Sequence, residues 1–181
     1  ILLKSIKNQS GLSKMYKKIR KLPEGTINRI AAGEVVERPF SVVKELVENA
    51  IDADATRIDI TLGSGGKSLI IVNDNGHGMT QEDVSLAIER HATSKLPEGD
   101  GGDRLFRVSS LGFRGEALPS IGAVSKMAIT SRPVQNQVSM EENNTNSAMQ
   151  LDVIAGKVGS LKPTSGAQGT RIEVRDLFFV T

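Results

Sequence analysis

The chain has 181 residues, a formal net charge of +2, 38% hydrophobic and 24% charged residues. That fits one globular domain able to bury its own core and excludes a wholly disordered chain. It has no cysteine, which excludes disulfides, Cys-ligated zinc, iron–sulfur clusters and thiol nucleophiles, and its one tyrosine, five phenylalanines and no tryptophan argue against a base-stacking surface for single strands.

In chain order, residues 1–22 come first, with seven basic residues (Lys4, Lys7, Lys14, Lys17, Lys18, Arg20, Lys21) and no acid, leaving 16 basic against 21 acidic residues in the remainder. The positive charge therefore belongs to an arm, and a basic-domain argument for nucleic-acid binding fails. Residues 1–18 are read as a basic arm, non-native or disordered, with Met15 at a candidate natural start and residues 19–181 as the folded domain. Thr26–Ala32 predicts a short helix with Thr26 as N-cap. Pro39 fits the first turn of a second helix, along which Val42, Val43, Leu46, Val47 and Ala50 form an apolar stripe. Arg57–Leu62 and Ser68–Val72 predict strands joined by a hairpin connection at Gly63–Lys67. Gln81–Arg90 predicts a helix capped by Thr80, and His91 to Gly115 a loop of about 25 residues, a length usual for lids or disorder. A short helix is expected at Glu116–Ile121. Strands are expected at Ser125–Ser131, Ala148–Ile154 and Thr170–Val174, with a shorter one near Lys157–Leu161 and an exposed loop at Gln135–Ser147. The sum is an α+β layered sandwich: a mixed, mainly antiparallel sheet with helices on one face. The longest apolar run, Leu69–Val72, is far short of the ~20 residues that span a bilayer.

Two glycine patterns are decoys. Gly63-Ser64-Gly65-Gly66-Lys67-Ser68 ends like a P-loop, but residue 61 is threonine and the run precedes a strand instead of a helix. Gly76 and Gly78 start a dinucleotide-type fingerprint that Gln81 breaks. His77 and His91 are too far apart for a local metal pair and are read as hydrogen-bonded loop residues.

Three other elements carry chemistry. Glu45 and Asn49, four apart, project from one face of the second helix. Asp74-Asn75-Gly76-His77-Gly78 follows a buried strand, where turns also attract Asp and Gly for structural reasons alone. Gly112-Phe113-Arg114-Gly115-Glu116-Ala117-Leu118 leads from the long loop into a helix, a junction whose free N–H groups and dipole suit phosphate. Each is ambiguous singly; their order and spacing are less so.

Together these residues resemble the GHKL ATPases and, within them, the MutL DNA mismatch repair family. The resemblance rests on Ile30–Pro39, Lys44–Ala50, Asp52-Ala53, the Asp74–Gly78 run, His91–Lys95, Gly112–Leu118, Gly169-Thr170 and Arg175–Phe179, and covers about residues 19–181. It implies the GHKL (Bergerat) fold and an ATP-binding and hydrolysing switch domain that couples mismatch recognition to downstream repair. Glu45 would be the general base for the attacking water and Asn49 a Mg²⁺ ligand through its amide oxygen. Asp74 would accept a hydrogen bond from the adenine amino group, supported by Thr170, while Gly76 and Gly78 let the backbone approach the nucleotide. Thr93, Ser94, Lys95, Gly112, Phe113, Arg114, Gly115 and Glu116 would form a lid on the phosphates.

The implied cofactors are ATP and Mg²⁺. Implied partners are a MutS-type mismatch recognition protein, a downstream nuclease or helicase, and DNA, held weakly and mostly through parts not in this chain. Dimerisation is expected of the full-length protein and a monomer of residues 1–181, with bacterial cytoplasm as the location, or the nucleus in a eukaryote. Asp54 and Val180 depart from the family's glycine and asparagine, and Pro97–Asp103 carries extra Gly and Asp. The chain is expected to stop before a second, transducer domain that supplies a lysine to the γ-phosphate, so its own turnover should be weak. Alternatives are a nucleotide-binding interaction module without significant turnover, or another GHKL ATPase such as a type II topoisomerase subunit.

Overall fold

The computed structural model describes residues 19–92, 115–134 and 147–180. The basic arm, most of the long loop and nearly all of the expected Gln135–Ser147 loop lie outside these residues.

Helix α1, Glu24–Val35, starts before the expected N-cap: Pro23 occupies that position at φ −60°, and its carbonyl accepts from Thr26 N and Ile27 N. Thr26 thus lies inside the first turn, its hydroxyl 3.5 Å from Arg29 Nη2. Proline's fixed φ starts the helix without needing a side-chain cap. Helix α2, Pro39–Asp52, begins with Pro39 in its first turn and buries Val42, Leu46 and Ala50; Val43 and Val47, the flanks of the expected stripe, are half-buried.

The end of α2 is a Schellman motif. Asp54 N donates to Ile51 O at 3.0 Å and Ala55 N to Ala50 O at 3.1 Å, with Asp54 in the left-handed conformation at φ 57°. That position favours glycine because it carries no Cβ penalty, which gives the Asp54 departure its physical meaning: the turn is kept, under strain.

Strand β1 (Ile58–Gly63) and strand β2 (Leu69–Asp74) pair antiparallel through a 3₁₀ turn at Ser64–Gly66. Helix α3 covers Gln81–Leu86 and starts on Thr80, whose hydroxyl and Asp83 form a capping box. It ends four residues before the expected Arg90, where the chain turns; beyond the turn the Arg90 guanidinium meets the Glu116 carboxylate and Asn28 O. Helix α4, Ala117–Val124, buries Ser120 to Val124 and runs past the expected Ile121, as an all-round apolar helix in a core does.

Strands β3 (Lys126–Arg132), β4 (Ala148–Ile154), β5 (Lys157–Val158), β6 (Lys162–Thr164) and β7 (Gly169–Arg175) complete the sheet. Its order is β1-β2-β7-β3-β4-β5, with β6 also on β4, and every pairing among the described residues is antiparallel. Strand β6, three residues with Pro163 at a sheet edge, carries too little pattern to be read in advance. Alternation puts Ile70, Val72, Met127, Ile129, Leu151, Val153, Ile172 and Val174 in one core with Leu46 of α2 and Ile121 of α4. The opposite face, with Thr130, Gln150, Arg171 and Glu173, forms a shallow open concavity. The helices therefore cover one face, as expected.

Candidate active site

Asp74 closes β2 on the core-facing side: the strand buries Ile70, Val72 and Asp74 in alternation. A carboxylate at a buried register position must find donors. Its Oδ1 accepts from Gly76 N at 2.9 Å and from Thr170 N at 3.2 Å. Among the described residues Oδ2 accepts no hydrogen bond. Burial pushes the Asp74 carboxyl above the usual aspartate value, and the N–H groups of Gly76 and Thr170 offset part of that.

The following loop is fixed from three directions. Asn75 Oδ1 accepts from Thr56 N and Arg57 N at 2.9 and 2.8 Å, and its Nδ2 donates to Thr56 Oγ1 at 2.9 Å. His77 N donates to Ala53 O at the end of α2 at 3.0 Å, and Val134 N to His77 O at 2.9 Å. Met79 N donates to Ser131 Oγ at 2.9 Å. Gly78, at φ 69°, has room for no side chain: a Cβ there would lie 2.0 Å from Arg132 O. The close approach that Gly78 and Gly76 permit is thus to the protein's own backbone, since a Cβ on Gly76 would lie 2.6 Å from Ala53 O.

Thr170 enters from β7. The preceding Gly169, at φ 107°, would place a Cβ 2.1 Å from Asp74 O, which lets the two strand ends meet. The Thr170 hydroxyl lies 2.9 Å from Ser131 Oγ. The expected pair Asp74 and Thr170 is therefore brought together, and Gly76 and Gly78 sit on the same loop.

Asn49 and Glu45 lie one and two turns before Ala53 on α2, about 6 and 12 Å along the axis from the turn that grips the loop. Both are half-buried. Glu45 Oε1 is 3.7 Å from Lys44 Nζ, which is bonded more closely to Glu48 at 2.7 Å. The Glu48 hydrogen bond, with the nearby Glu45 and Glu48 charges, raises the Lys44 pKa.

Of the expected lid, Thr93, Ser94, Lys95, Gly112, Phe113 and Arg114 lie outside the described residues. Gly115, at φ 60°, would place a Cβ 2.4 Å from Ala92 O, so the two ends of that segment are adjacent. Glu116 is engaged by Arg90 and, at 3.0 Å, by His91 Nδ1. His77 Nδ1 lies 2.7 Å from Gly78 O. The two histidines thus serve separate local contacts, and no cluster of three metal-ligating side chains occurs among the described residues.

Two residues of the site went unread in the sequence, Asn75 and Ser131. Asn75 lies inside the recognised run, where attention falls on Asp and Gly. Ser131 had a signal: it takes the inward place in the alternation Met127, Ile129, Ser131, where an apolar residue is the norm.

This arrangement is an α+β nucleotide-site scaffold, and comparison with known proteins agrees. The model of the histidine kinase-, DNA gyrase B- and HSP90-like ATPase family matches residues 37–166. The chain belongs to that family. Within it the similarity is to the MutL DNA mismatch repair proteins. MutL of Paramagnetospirillum magneticum is 56% identical over 163 residues, 90% of this chain and 25% of that protein. MutL of Rickettsia bellii is 53% identical over 90% of this chain and 24% of that protein. Among solved structures, the Aquifex aeolicus MutL ATPase domain complexed with ADP is 34% identical with TM-score 0.58, the match covering 81% of this chain and 45% of that one. The N-terminal domain of a DNA repair protein gives 30% identity and TM-score 0.62, over 84% and 39%. The chain spans about a quarter of the length of the curated relatives it matches. Among the described residues no helix is long and apolar enough to cross a membrane.

Proposed function

We propose that residues 19–181 bind ATP with Mg²⁺, hydrolyse it, and act as the switch unit of a MutL-type mismatch repair protein. The observation that carries this reading is the buried Asp74 carboxylate, its Oδ1 occupied by two backbone donors and its Oδ2 left to take a donor such as the adenine amino group. Thr170 supports the same edge of the base. From the end of β2 and then back along α2 the groups follow the order of the nucleotide: Asp74 at the base end, Asn49 beyond it, and Glu45 at the far end for the terminal phosphate.

Asn49 fits a magnesium ligand by chemistry, being a neutral hard oxygen donor beside the carboxylate of Glu45. Asn49 Oδ1 would hold the ion, which when bound would supply charge neutralisation at the phosphates. Glu45 would orient the attacking water and take its proton as the water oxygen bonds to the γ-phosphorus and the bond to the β–γ bridging oxygen breaks, releasing ADP and phosphate. Half-burial keeps this carboxylate reachable by water. Gly76 and Gly78 keep the loop in its fold, and Thr93, Ser94, Lys95 and Gly112 to Glu116 would close over the phosphates.

On this reading, a MutS-type protein, a downstream nuclease or helicase and DNA are partners of the whole protein, and dimerisation is its property. The bacterial relatives favour the cytoplasm. Nucleotide titration combined with single-turnover hydrolysis tests the reading. ATP binding in preference to GTP, with Mg²⁺-dependent turnover, is expected. No adenine-nucleotide binding would overturn it, and binding without turnover even in the full-length protein would leave an interaction module.

A further inference from the structure

The loop after β2 carries the single Asn-Gly dipeptide of the chain, Asn75-Gly76. Asparagine before glycine is chemically labile, because glycine has no Cβ to keep its backbone nitrogen from the preceding side-chain carbonyl. In that reaction Gly76 N loses its proton to solvent base and bonds to Asn75 Cγ. The Cγ–Nδ2 bond breaks, and Nδ2 takes a proton and leaves as ammonia. Water then opens the succinimide ring at either carbonyl. Addition at Cγ gives aspartate on the original backbone. Addition at the main-chain carbonyl gives isoaspartate, whose backbone runs through Cγ and is one atom longer. In sum, the amide and water become the acid and ammonia.

The folded loop holds both reacting groups. Asn75 is exposed to water, yet its Oδ1 accepts from Thr56 N and Arg57 N, and Nδ2, the leaving group, donates to Thr56 Oγ1 at 2.9 Å. The Asn75 backbone N–H donates to Arg57 O at 3.2 Å. The nucleophile is held as well: Gly76 N gives its proton to Asp74 Oδ1 at 2.9 Å, and its Cα is packed against the end of α2, where a Cβ would lie 2.6 Å from Ala53 O. We propose that Asn75 is a deamidation site masked by the fold: the closed loop restrains the amide and the Gly76 nitrogen, and opening of the loop frees them to form the succinimide. The isoaspartyl product cannot rebuild the loop, because the extra backbone atom takes Gly76 N out of register with Asp74 Oδ1 and His77 N with Ala53 O. That this abolishes adenine-nucleotide binding rests on the ATP-binding reading above; the modification itself does not.

The test is peptide mapping by mass spectrometry of wild type and Thr56→Val, which lacks the Nδ2 acceptor. Both are aged in mildly alkaline buffer and in guanidinium chloride that unfolds them. Wild-type Asn75 is expected to convert in denaturant and at least about tenfold more slowly in buffer, since a closed segment reacts only from its open fraction. Thr56→Val should convert faster than wild type in buffer and equally fast in denaturant. Equal wild-type rates in the two solvents, no conversion at Asn75 in denaturant, or equal buffer rates for the two chains would each overturn the proposal. Should Thr56→Val fail to fold, the wild-type comparison decides alone. Wild type aged in denaturant is then returned to buffer, separated by product and titrated with ATP. The isoaspartyl chains are expected to lose binding; binding equal to that of unaged wild type would overturn the claim that the loop cannot be rebuilt. Unaged wild type failing to bind ATP overturns the functional reading instead, and the mapping still decides the modification.

Discussion

Thr170 donates its backbone N–H to Asp74 Oδ1 across 3.2 Å, joining residues 96 apart in the chain. The bond orients the carboxylate, so that Oδ1 is used internally while Oδ2 accepts no hydrogen bond among the described residues. Asp74→Asn keeps the internal acceptor but puts a donor where the adenine amino group would sit. ATP affinity should fall by roughly 1–3 kcal/mol, with the preference over GTP reduced. Unchanged ATP and GTP affinities in a titration would remove Asp74 from base recognition.

The same carboxyl yields a pH prediction. Burial raises its folded pKa above the usual 3.8. A carboxyl with a raised folded pKa favours the fold when protonated, and that contribution is lost as pH rises from 3.8 through the folded value. Nucleotide binding runs the other way, because it needs the ionised acceptor. On acidification through this window ATP affinity should fall while the Asp74 contribution to stability recovers. Both trends should be absent in Asp74→Asn, measured by titration and by urea unfolding across pH.

Glu45→Ala should leave ATP binding nearly intact and slow hydrolysis in the full-length protein by about 10²–10⁴, the range for losing a general base. Equal losses of binding and turnover would reassign Glu45 to structure.

Asn49→Ala should weaken nucleotide binding in Mg²⁺ more than it weakens the Mg²⁺-free affinity, because a metal ligand is removed. Calorimetric titrations with and without Mg²⁺ separate the two terms. Equal affinities in Mg²⁺ for the variant and wild type would move the metal role elsewhere.

Gly78 and Gly65 form a matched pair for backbone stability. Their φ values are 69° and 65°, but a Cβ at Gly78 meets Arg132 O at 2.0 Å while at Gly65 nothing lies within 4 Å. Gly65→Ala should cost about 1–2 kcal/mol, the left-handed penalty alone, and Gly78→Ala clearly more. Similar unfolding midpoints would show that the loop shifts easily away from Arg132.

Asp54→Gly relieves the left-handed strain at the end of α2 and should raise stability by up to about 1 kcal/mol after the entropy cost of glycine. A lower melting temperature would show that the aspartate side chain supports this turn.

What could be read from residues alone follows from how locally each feature is encoded. The Pro39 start of α2, the Thr80 cap and the alternating strands are short-range patterns, and they appear where expected. The Thr26 cap did not, because Pro23 starts that helix through φ alone. The Asp74–Gly78 run was visible as a motif, and its partner Thr170 through family resemblance. The Ser131 contacts were not visible, since strand register decides which side chain of β3 faces the loop, and register is set by pairing with β7. Likewise, the Arg90–Glu116 contact just beyond α3 joins residues 26 apart, which no local pattern announces.

Strand β7 is late in the chain yet sits mid-sheet between β2 and β3. During synthesis, β1 and β2 can pair early, but neither the β2·β7 nor the β3·β7 ladder can form before residues 169–175 leave the ribosome. Until then Asp74 lacks Thr170, and Ile70, Val72, Met127 and Ile129 lack their cross-strand neighbours. Such delayed, non-local closure is slow and leaves apolar strand faces open meanwhile. Nascent chains without β7 should therefore bind no adenine nucleotide and depend on chaperones, so that competence for the ligand arrives together with the completed sheet.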